Sequence, residues 1–301
     1  MPRTATITKS PKRPPSSNIH VIRAENLSKL SDVVHGFSTR VGGFSDAYGG
    51  GQLNLGFTSS DKRQTVERNR RAFVRELTGI PEQTQLVTLR QVHSGVVRIL
   101  KSKDRISENP LRGDGVITNQ RNVLLGVQVA DCVPVLVADV KRGAIGAFHA
   151  GWRGTAKRIV ERGIGYMRAV FGCRPSDIQA AIGPCIHSCC YAVGDEVIDE
   201  FHSQFSYADE LFSEVYDRDP IKEKYPLLFL TARAPGHSNI GPQTHLDLVE
   251  ANRRQLLDAG VSKDQIWAAK ECTSCRNDLL FSHRREAGYT GRLMGVIGLL
   301  N

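Results

Sequence analysis

The stretch that decides the fold is VLLGVQVADCVPVLVADVKRGAIGAFHA, residues 123–150. It contains three apolar runs, which predict strands over residues 123–129, 133–140 and 144–148. The last two runs are separated by Lys141-Arg142-Gly143, a turn short enough to join antiparallel strands. Because the runs are apolar almost throughout, we expect all three strands to lie in a buried sheet.

Strands and helices flank this stretch on both sides. Apolar runs and helical periodicity predict strands over residues 20–23, 33–38, 86–89, 96–100, 115–118, 178–182 and 293–300, and helices over 65–78, 155–171, 193–205 and 246–259. Without a regular βα repeat, this order predicts an α/β sandwich with a mixed sheet, formed as one domain. The glycines between Gly42 and Gly51 predict a loop, and the polar segment 206–244 predicts a long surface excursion.

Composition predicts a soluble, cytoplasmic protein. The chain has 301 residues, of which 40% are hydrophobic, but it has no apolar run of the roughly eighteen residues that a membrane span needs and no secretory leader. The formal charge of +9 could attract nucleic acid, yet several basic residues lie in residues 1–17, which we expect to be a disordered tail. Pro11, Pro14 and Pro15 disfavour a helical targeting presequence there. We expect the catalytic domain to span residues 18–301, with neither a membrane nor a nucleic acid as partner.

The seven cysteines are expected to be reduced thiols, so burial, metal binding or reactivity must account for each. His93, Cys132 and His149 all follow or end predicted strands, so they can meet at one edge of the sheet. Two imidazoles and a thiolate suit Zn²⁺, and three protein ligands with a fourth position open are typical of a catalytic site. Spacing alone leaves open a second interpretation, three unrelated core and surface residues.

A set of short motifs recurs in order between His35 and Leu299. They are Phe37-Ser38-Thr39-Arg40-Val41-Gly42-Gly43, Asn54-Leu55-Gly56, Glu67-Arg68-Asn69-Arg70, Gln91-Val92-His93-Ser94, Asp114-Gly115, Ala130-Asp131-Cys132-Val133-Pro134, His149-Ala150-Gly151-Trp152-Arg153-Gly154, Ala181-Ile182-Gly183-Pro184, Cys190-Tyr191, Leu246-Asp247-Leu248, Cys272-Thr273 and Phe281-Ser282-His283-Arg284-Arg285. In this order the chain resembles the YfiH or laccase-domain family, whose members are also named multicopper polyphenol oxidoreductases or peptidoglycan editing factors.

The resemblance implies a three-layer α/β/α sandwich with a mixed sheet. It also implies a zinc or copper centre at His93, Cys132 and His149, and phosphorolysis of adenosine, inosine and methylthioadenosine with adenosine deaminase activity beside it. Two departures concern substrate contacts. Tyr191-Ala192-Val193 lacks the Glu that often follows the aromatic residue in the family, and segment 206–244 is long.

Phosphorolysis needs an anion clamp for phosphate and stabilisation of the departing base. Arg40, Arg68 and Arg153 are the candidates for the clamp, and Asn54 is a candidate for binding a hydroxyl or the base, although each arginine could equally be an ordinary surface or ion-pair residue. Asp131 could shuttle a proton or orient one of the two histidines. Purine nucleosides and phosphate are the expected partners. No oligomeric state follows from the sequence.

Two cysteine groups and one basic motif are weaker candidates. Cys272 and Cys275 have redox or zinc spacing without a second CxxC, so we expect buried or loop thiols. Cys185, Cys189 and Cys190 with His187 could form a second metal site, but a packed turn is expected. The motif at His283-Arg284-Arg285 could approach substrate or cap a helix.

Three other functions were weighed. A copper-dependent polyphenol oxidase is disfavoured because its paired H-x-H ligands occur nowhere in the chain, although copper can still replace zinc at an N/S site. A cysteine hydrolase editing peptidoglycan precursors would use Cys132 as nucleophile and His149 or His93 as base. A nucleic-acid-binding protein would need aromatic residues interleaved with a basic patch, and the basic tail has none.

Overall fold

The computed structural model describes residues 18–101, 110–215 and 242–301. The predicted tail at 1–17 and residues 216–241 of the predicted excursion lie outside the described residues. The described strands are β1 Val21–Ile22, β2 Val33–Ser38, β3 Val41–Ser45, β4 Gln85–Thr88, β5 Val97–Ile99, β6 Gly115–Thr118, β7 Val123–Val129, β8 Val133–Asp139, β9 Ala144–Ala150, β10 Gln179–Ile182, β11 Phe212–Val215, β12 Gln243–Leu246, β13 Ile266–Ala268 and β14 Leu293–Leu299.

Six helices are described, and two of them end at a glycine in the left-handed conformation. They are α1 Glu25–Ser28, α2 Arg63–Thr78, α3 Trp152–Ala156, α4 Ile159–Phe171, α5 Asp195–Gln204 and α6 Leu248–Asp258, with 3-10 turns at Pro81–Gln83, Pro175–Asp177, Ala208–Leu211 and Lys263–Gln265. Helix α2 ends at Gly79, whose φ is 72°, and α4 ends at Gly172, whose φ is 68°. Among the described helices, none is long and apolar enough to cross a membrane.

Two mixed sheets form the centre of the molecule. One has the strand order β1-β2-β14-β7-β4, with only the β7–β4 pair parallel, and the other has the order β13-β10-β8-β9-β6-β5, with parallel pairs at both edges. Strands β11 and β12 form a separate antiparallel pair. The predicted hairpin between β8 and β9 is present, with Pro134 opposite His149 and Asp139 opposite Ala144.

The sheets stack on each other and helices cover their outer faces. Phe37, Leu125 and Ile297 of the first sheet share one apolar cluster with Leu136 and Ala147 of the second. Helix α2 packs on the outer face of the first sheet, while α4 and α6 cover the second. The predicted α/β sandwich with mixed hydrogen bonding, formed as one domain, is confirmed. Its β layer is double, which explains why β8 and β9 are buried along their whole length.

Two sequence predictions about elements were wrong. The predicted helix 155–171 is broken into α3 and α4 at Arg158, whose φ of 55° is left-handed and which donates from its guanidinium to Glu161 and the carbonyl of Gln204. Gly42 and Gly43 lie in strand β3 rather than in a loop. A Cβ at Gly43 would lie 2.2 Å from the Gln52 carbonyl oxygen, so these glycines allow two backbones to approach closely.

Candidate metal centre

His93, Cys132 and His149 meet at one edge of the sandwich. His93 lies in the loop after β4, Cys132 in the turn between β7 and β8, and His149 near the end of β9. Their ligand atoms all lie within 4.8 Å of one another, with Cys132 Sγ 3.9 Å from His93 Nε2. The structure therefore brings together the three residues that strand ends alone suggested.

Gly151, directly after β9, leaves space for the side chains of Cys132 and His93 to lie beside His149. A Cβ at this position would lie 2.8 Å from Cys132 Sγ and 3.2 Å from His93 Cδ2. His149 is buried whereas His93 is exposed, so the centre has a closed inner side and an outer side open to solvent.

The carboxylate of Asp114, which is completely buried, organises both histidines. His149 Nδ1 lies 2.9 Å from Asp114 Oδ1. The same carboxylate accepts hydrogen bonds from the backbone nitrogens of Val92, His93 and Ser94 and from Ser94 Oγ, at 2.6 to 3.1 Å for the shortest contact of each. The Asp114 carboxylate thus holds the His149 ring directly, and it holds the His93 loop by accepting hydrogen bonds from the backbone of that loop. Sequence reasoning assigned Asp114 no role, although it begins the Asp114-Gly115 motif.

Interactions among Asp114, Cys132 and His149 favour the charged form of each side chain. Burial opposes ionisation of Asp114, but hydrogen bonds from His149 and Ser94 outweigh it and hold the pKa of this carboxyl well below its usual range. Burial likewise opposes the charged forms of Cys132 and His149. Their mutual attraction outweighs burial, so the pKa of the Cys132 thiol is lowered and that of His149 is raised. Both shifts favour a thiolate at Cys132 beside an imidazolium at His149.

The donor set fits a divalent ion such as Zn²⁺. Asp114 occupies Nδ1 of His149 and leaves Nε2 as the lone-pair donor, the carboxylate–histidine arrangement that metal sites commonly use. Zn–N and Zn–S bonds of about 2.0 to 2.3 Å place tetrahedral donors about 3.3 to 3.8 Å apart, close to the 3.9 Å between Cys132 Sγ and His93 Nε2. The residues present could hold a metal with one coordination position left for substrate.

Asp131 does not orient either histidine, contrary to one of the two roles predicted for it. Its Oδ1 accepts hydrogen bonds from Thr273 Oγ1 at 2.6 Å and Ser282 Oγ at 2.7 Å, and its Oδ2 accepts from the backbone nitrogen of Arg284 at 2.6 Å. These bonds tie the chain before β14 to the metal centre, and Asp114 takes the orienting role instead.

Two cavities open on the centre. The larger has a volume of about 890 Å³, and its wall includes all three candidate ligands together with Asp131. The smaller, of about 350 Å³, is lined by His93 and Cys132 among others. Tyr191 lines both cavities, while His283 and Arg284 line the larger one, so two residues of the basic motif lie at the candidate centre.

Of the predicted substrate residues, Arg40 and Asn54 serve the scaffold. Arg40 is buried, and its guanidinium donates to Gln52, Glu286, the Tyr48 carbonyl and Asn277. The Asn54 side chain donates to the Gly56 carbonyl and Asp61 and accepts from the backbone nitrogens of Gly56 and Arg292. These polar atoms already have protein partners, and neither residue lines the larger or the smaller cavity, so the structure does not bring Arg40 and Asn54 to the candidate centre.

The other two predicted arginines, Arg68 and Arg153, differ in whether they lie at the candidate centre. Arg68 is exposed and stacks 3.6 Å above the ring of Phe44, and it lines neither cavity at the metal centre. Arg153 lines the smaller cavity, where it stacks on Trp152 and pairs with Glu196 at 3.0 Å. Arg153 alone of the four predicted substrate residues lies beside the centre.

Arg70, about two turns from the start of α2, is an arginine to which the sequence analysis gave no role. It lines the larger cavity, its Nε donates to the Leu55 carbonyl at 2.8 Å, and its buried Nη2 has no hydrogen-bond partner among the described residues. Burial lowers the pKa of its guanidinium to about 10, which leaves it charged at neutral pH. A buried charged donor without a partner predicts an anionic ligand. Its place in the motif Glu67-Arg68-Asn69-Arg70 was the available signal.

The family model described as multi-copper polyphenol oxidoreductase laccase matches residues 34–300. The chain belongs to this family. The resemblance to the laccase-domain family drawn from the motifs is therefore confirmed.

Several curated relatives of this laccase-like chain carry names of purine enzymes. The purine nucleoside phosphorylase YlmD of Geobacillus stearothermophilus is 35% identical over 274 residues, covering 87% of this chain and 91% of the relative. A purine nucleoside phosphorylase of Deinococcus radiodurans is 36% identical, covering 93% and 92%. A protein named adenosine deaminase RL5, from an unknown prokaryotic organism, is 33% identical over 69% of this chain and 72% of its own length.

Solved structures of relatives share the fold. The crystal structure of YlmD from Geobacillus stearothermophilus matches with a TM-score of 0.76 at 34% identity, covering 92% of this chain and 94% of that one. That of YfiH from Bacillus licheniformis also has a TM-score of 0.76, at 32% identity, covering 95% and 98%.

Proposed function

We propose that the protein is a metal-dependent purine nucleoside phosphorylase acting on adenosine, inosine and methylthioadenosine. The observation that carries this proposal is that one cavity of about 890 Å³ is lined both by His93, Cys132 and His149 and by Arg70, whose guanidinium has one buried donor, Nη2, without a hydrogen-bond partner among the described residues. An anion clamp would hold phosphate, and a Lewis-acidic centre beside it would stabilise charge that develops on the substrate. The names of the relatives support the same reaction.

In this reaction a phosphate oxygen forms a bond to C1′ of the ribose as the glycosidic bond breaks, and the base leaves with the electron pair and takes up a proton. Arg70 would bind the phosphate, while Arg90, Arg284 and Arg292, which line the same cavity, would raise the local concentration of anions. A bound zinc ion would supply Lewis acidity at the substrate. Asp131 also lines the cavity, but its carboxylate already accepts hydrogen bonds from Thr273, Ser282 and Arg284, so the proton-shuttle role stays a prediction from the sequence.

The reaction is tested with purified, metal-assayed protein incubated with inosine, with and without phosphate, while hypoxanthine is followed. We expect phosphate-dependent release that falls in Cys132→Ala and after metal removal, and that returns when zinc is added back to the native protein. Phosphate-dependent release by metal-stripped Cys132→Ala would overturn the metal-centred mechanism, and no release under any condition would overturn the phosphorylase assignment.

The phosphate clamp is tested by two substitutions on the same helix. Arg70→Gln should raise the KM for phosphate by about ten-fold or more, since a hydrogen bond to a charged group contributes about 1.5 to 3 kcal/mol. Arg68→Gln is the matched control, because Arg68 stacks on Phe44 outside the cavity, and its KM should stay close to that of the native protein. Equal effects of the two substitutions would remove Arg70 from the site.

Adenosine deamination is proposed as a second activity of the same centre, supported by the name of the RL5 relative. Conversion of adenosine to inosine without phosphate would reveal it. The thiolate and imidazolium at Cys132 and His149 also favour a cysteine hydrolase in the metal-free protein. Turnover of a peptidoglycan precursor that resists metal removal, with no purine release, would support that function instead.

A further inference from the structure

Four cysteine sulfurs that the proposed reaction does not use lie close together, although they come from two separate segments of the chain. Cys189 and Cys190 lie in the loop between β10 and α5, whereas Cys272 and Cys275 lie between β13 and β14. All four sulfurs lie within 4.8 Å of one another. We refer to these residues as the four-cysteine cluster.

Distances within the cluster match a tetrahedral ion site. Cys189 Sγ lies 3.8 Å from Cys190 Sγ and 3.6 Å from Cys275 Sγ, and Cys190 Sγ lies 3.4 Å from Cys275 Sγ. Zn–S bonds of about 2.3 Å would place the sulfurs of a regular tetrahedron about 3.8 Å apart. The separations are too long for disulfide bonds, in which the sulfurs are about 2.05 Å apart.

The backbone holds the two segments in this position. Cys185 and Cys272 form an isolated β-bridge, and the backbone nitrogen of Thr273 donates to the Cys185 carbonyl at 2.9 Å. The backbone nitrogen of His187 lies 3.4 Å from Cys272 Sγ and donates to it. Donation from backbone N–H groups to a sulfur stabilises its thiolate, the form that a metal needs.

We propose that Cys189, Cys190, Cys272 and Cys275 bind one Zn²⁺ as a closed tetrathiolate site, separate from the centre at His93, Cys132 and His149. Four thiolate ligands leave no position for substrate, so this ion would have a structural role. The isolated CxxC of the sequence is completed by a neighbouring pair of cysteines from another segment.

The position of the cluster indicates what the ion would stabilise. Tyr191 follows Cys190 directly and lines both cavities. Thr273 follows Cys272 and donates to Asp131 at the metal centre. One ion at the cluster would fasten two walls of the cavity to each other, and its binding does not depend on which reaction the cavity supports.

The test uses Cys132→Ala protein, in which the catalytic centre has no thiolate. After dialysis against a mild chelator we expect one zinc per chain, and a strong chelator should release that zinc together with four titratable thiols. Replacement by Co²⁺ should give an intense thiolate-to-cobalt charge-transfer band. Adding Cys275→Ser should lower zinc affinity by at least about ten-fold and weaken the band, whereas adding Cys173→Ser, a buried cysteine outside both groups, should change neither.

Two outcomes would overturn the site. One is Cys132→Ala protein that retains no zinc, gives no cobalt band and exposes its thiols freely without a chelator. The other is a mass lower by about two hydrogens per pair of cysteines, which would identify disulfides in the cluster. Neither requires a folded cluster variant, and neither depends on purine release, so failure here is distinguishable from failure of the proposed phosphorylase.

Discussion

At the scale of single residues, one carboxylate holds two of the three candidate metal ligands in place. Asp114 receives the His149 ring and three successive backbone nitrogens of the His93 loop, and the hydrogen bonds it accepts keep it ionised although it is buried. His93 adopts a left-handed φ of 55°, a conformation that needs such external support. The two histidine ligands are therefore coupled through a residue that would not itself contact the metal.

Asp114→Asn should lower zinc affinity by about 10- to 100-fold, the usual effect of losing a carboxylate behind a histidine ligand. An amide presents an N–H₂ group where Asp114 now accepts bonds from the His149 ring or from the His93 loop, so it cannot satisfy both. A competition titration with a chromophoric chelator measures this affinity. Asp139→Asn is the control, because Asp139 is an equally buried carboxylate at the far end of β8, and unchanged affinity in Asp114→Asn would refute the role.

At the scale of elements, the packing of α4 on β9 fixes the position of His149. Phe148, the residue before His149, is fully buried against α4. A Cβ at Gly163 of that helix would lie 2.2 Å from Phe148 Cε1, whereas a Cβ at Gly165 would have no neighbour within 4 Å. Gly163 is therefore required by the packing of α4 on Phe148, whereas Gly165 is not required by any contact among the described residues.

Gly163→Ala should lower the free energy of unfolding by about 1 to 3 kcal/mol, because Phe148 or the helix must move. Gly165→Ala should raise it by up to about 1 kcal/mol, since alanine favours a helix more than glycine does. Chemical denaturation of both variants beside the native protein measures the difference. Equal effects would mean that α4 does not pack on Phe148 as described.

At the scale of the whole molecule, stability should depend on pH through a histidine far from the metal centre. His35 lies in β2 of the first sheet, is buried, and accepts a hydrogen bond from the Ala24 backbone nitrogen at Nε2. Burial first, and then the charge of Arg23, lower the pKa of His35 to about 4. The folded state therefore holds a neutral imidazole that the unfolded state protonates more readily.

As pH falls from about 6.5 to about 4, the unfolded chain gains a proton at His35 that the folded chain does not bind, so stability falls by up to about 3 kcal/mol. Above about pH 6.5 this contribution is complete and constant. His35→Gln should flatten the profile in that window, because glutamine can still accept the Ala24 hydrogen bond without titrating. Denaturation profiles of the two proteins at several pH values test this, and parallel profiles would contradict it.

The sequence by itself determined the α/β class, the β8–β9 hairpin and the three candidate metal ligands. Apolar runs report burial on both faces of a strand, which is a local property. That the three strand ends lie together depended also on how the two sheets stack, since β4 and β7 belong to one sheet and β9 to the other. The break at Arg158 escaped prediction because the apolar periodicity of α3 and α4 continues across it.

Only the tertiary structure decided which polar residues serve chemistry. Arg68 and Arg70 belong to one short motif and Arg40 to another. Arg40 is occupied by protein carbonyl and carboxylate groups, Arg68 is exposed, and Arg70 lines the cavity while its buried Nη2 has no partner among the described residues. Likewise, the sequence suggested Asp131 for orienting a histidine, but Asp114 is the carboxylate that contacts the His149 ring. The two pairs of the four-cysteine cluster, Cys189 with Cys190 and Cys272 with Cys275, are more than eighty residues apart in the chain. Sequence spacing carries no information about contact between the pairs, because only folding brings them together.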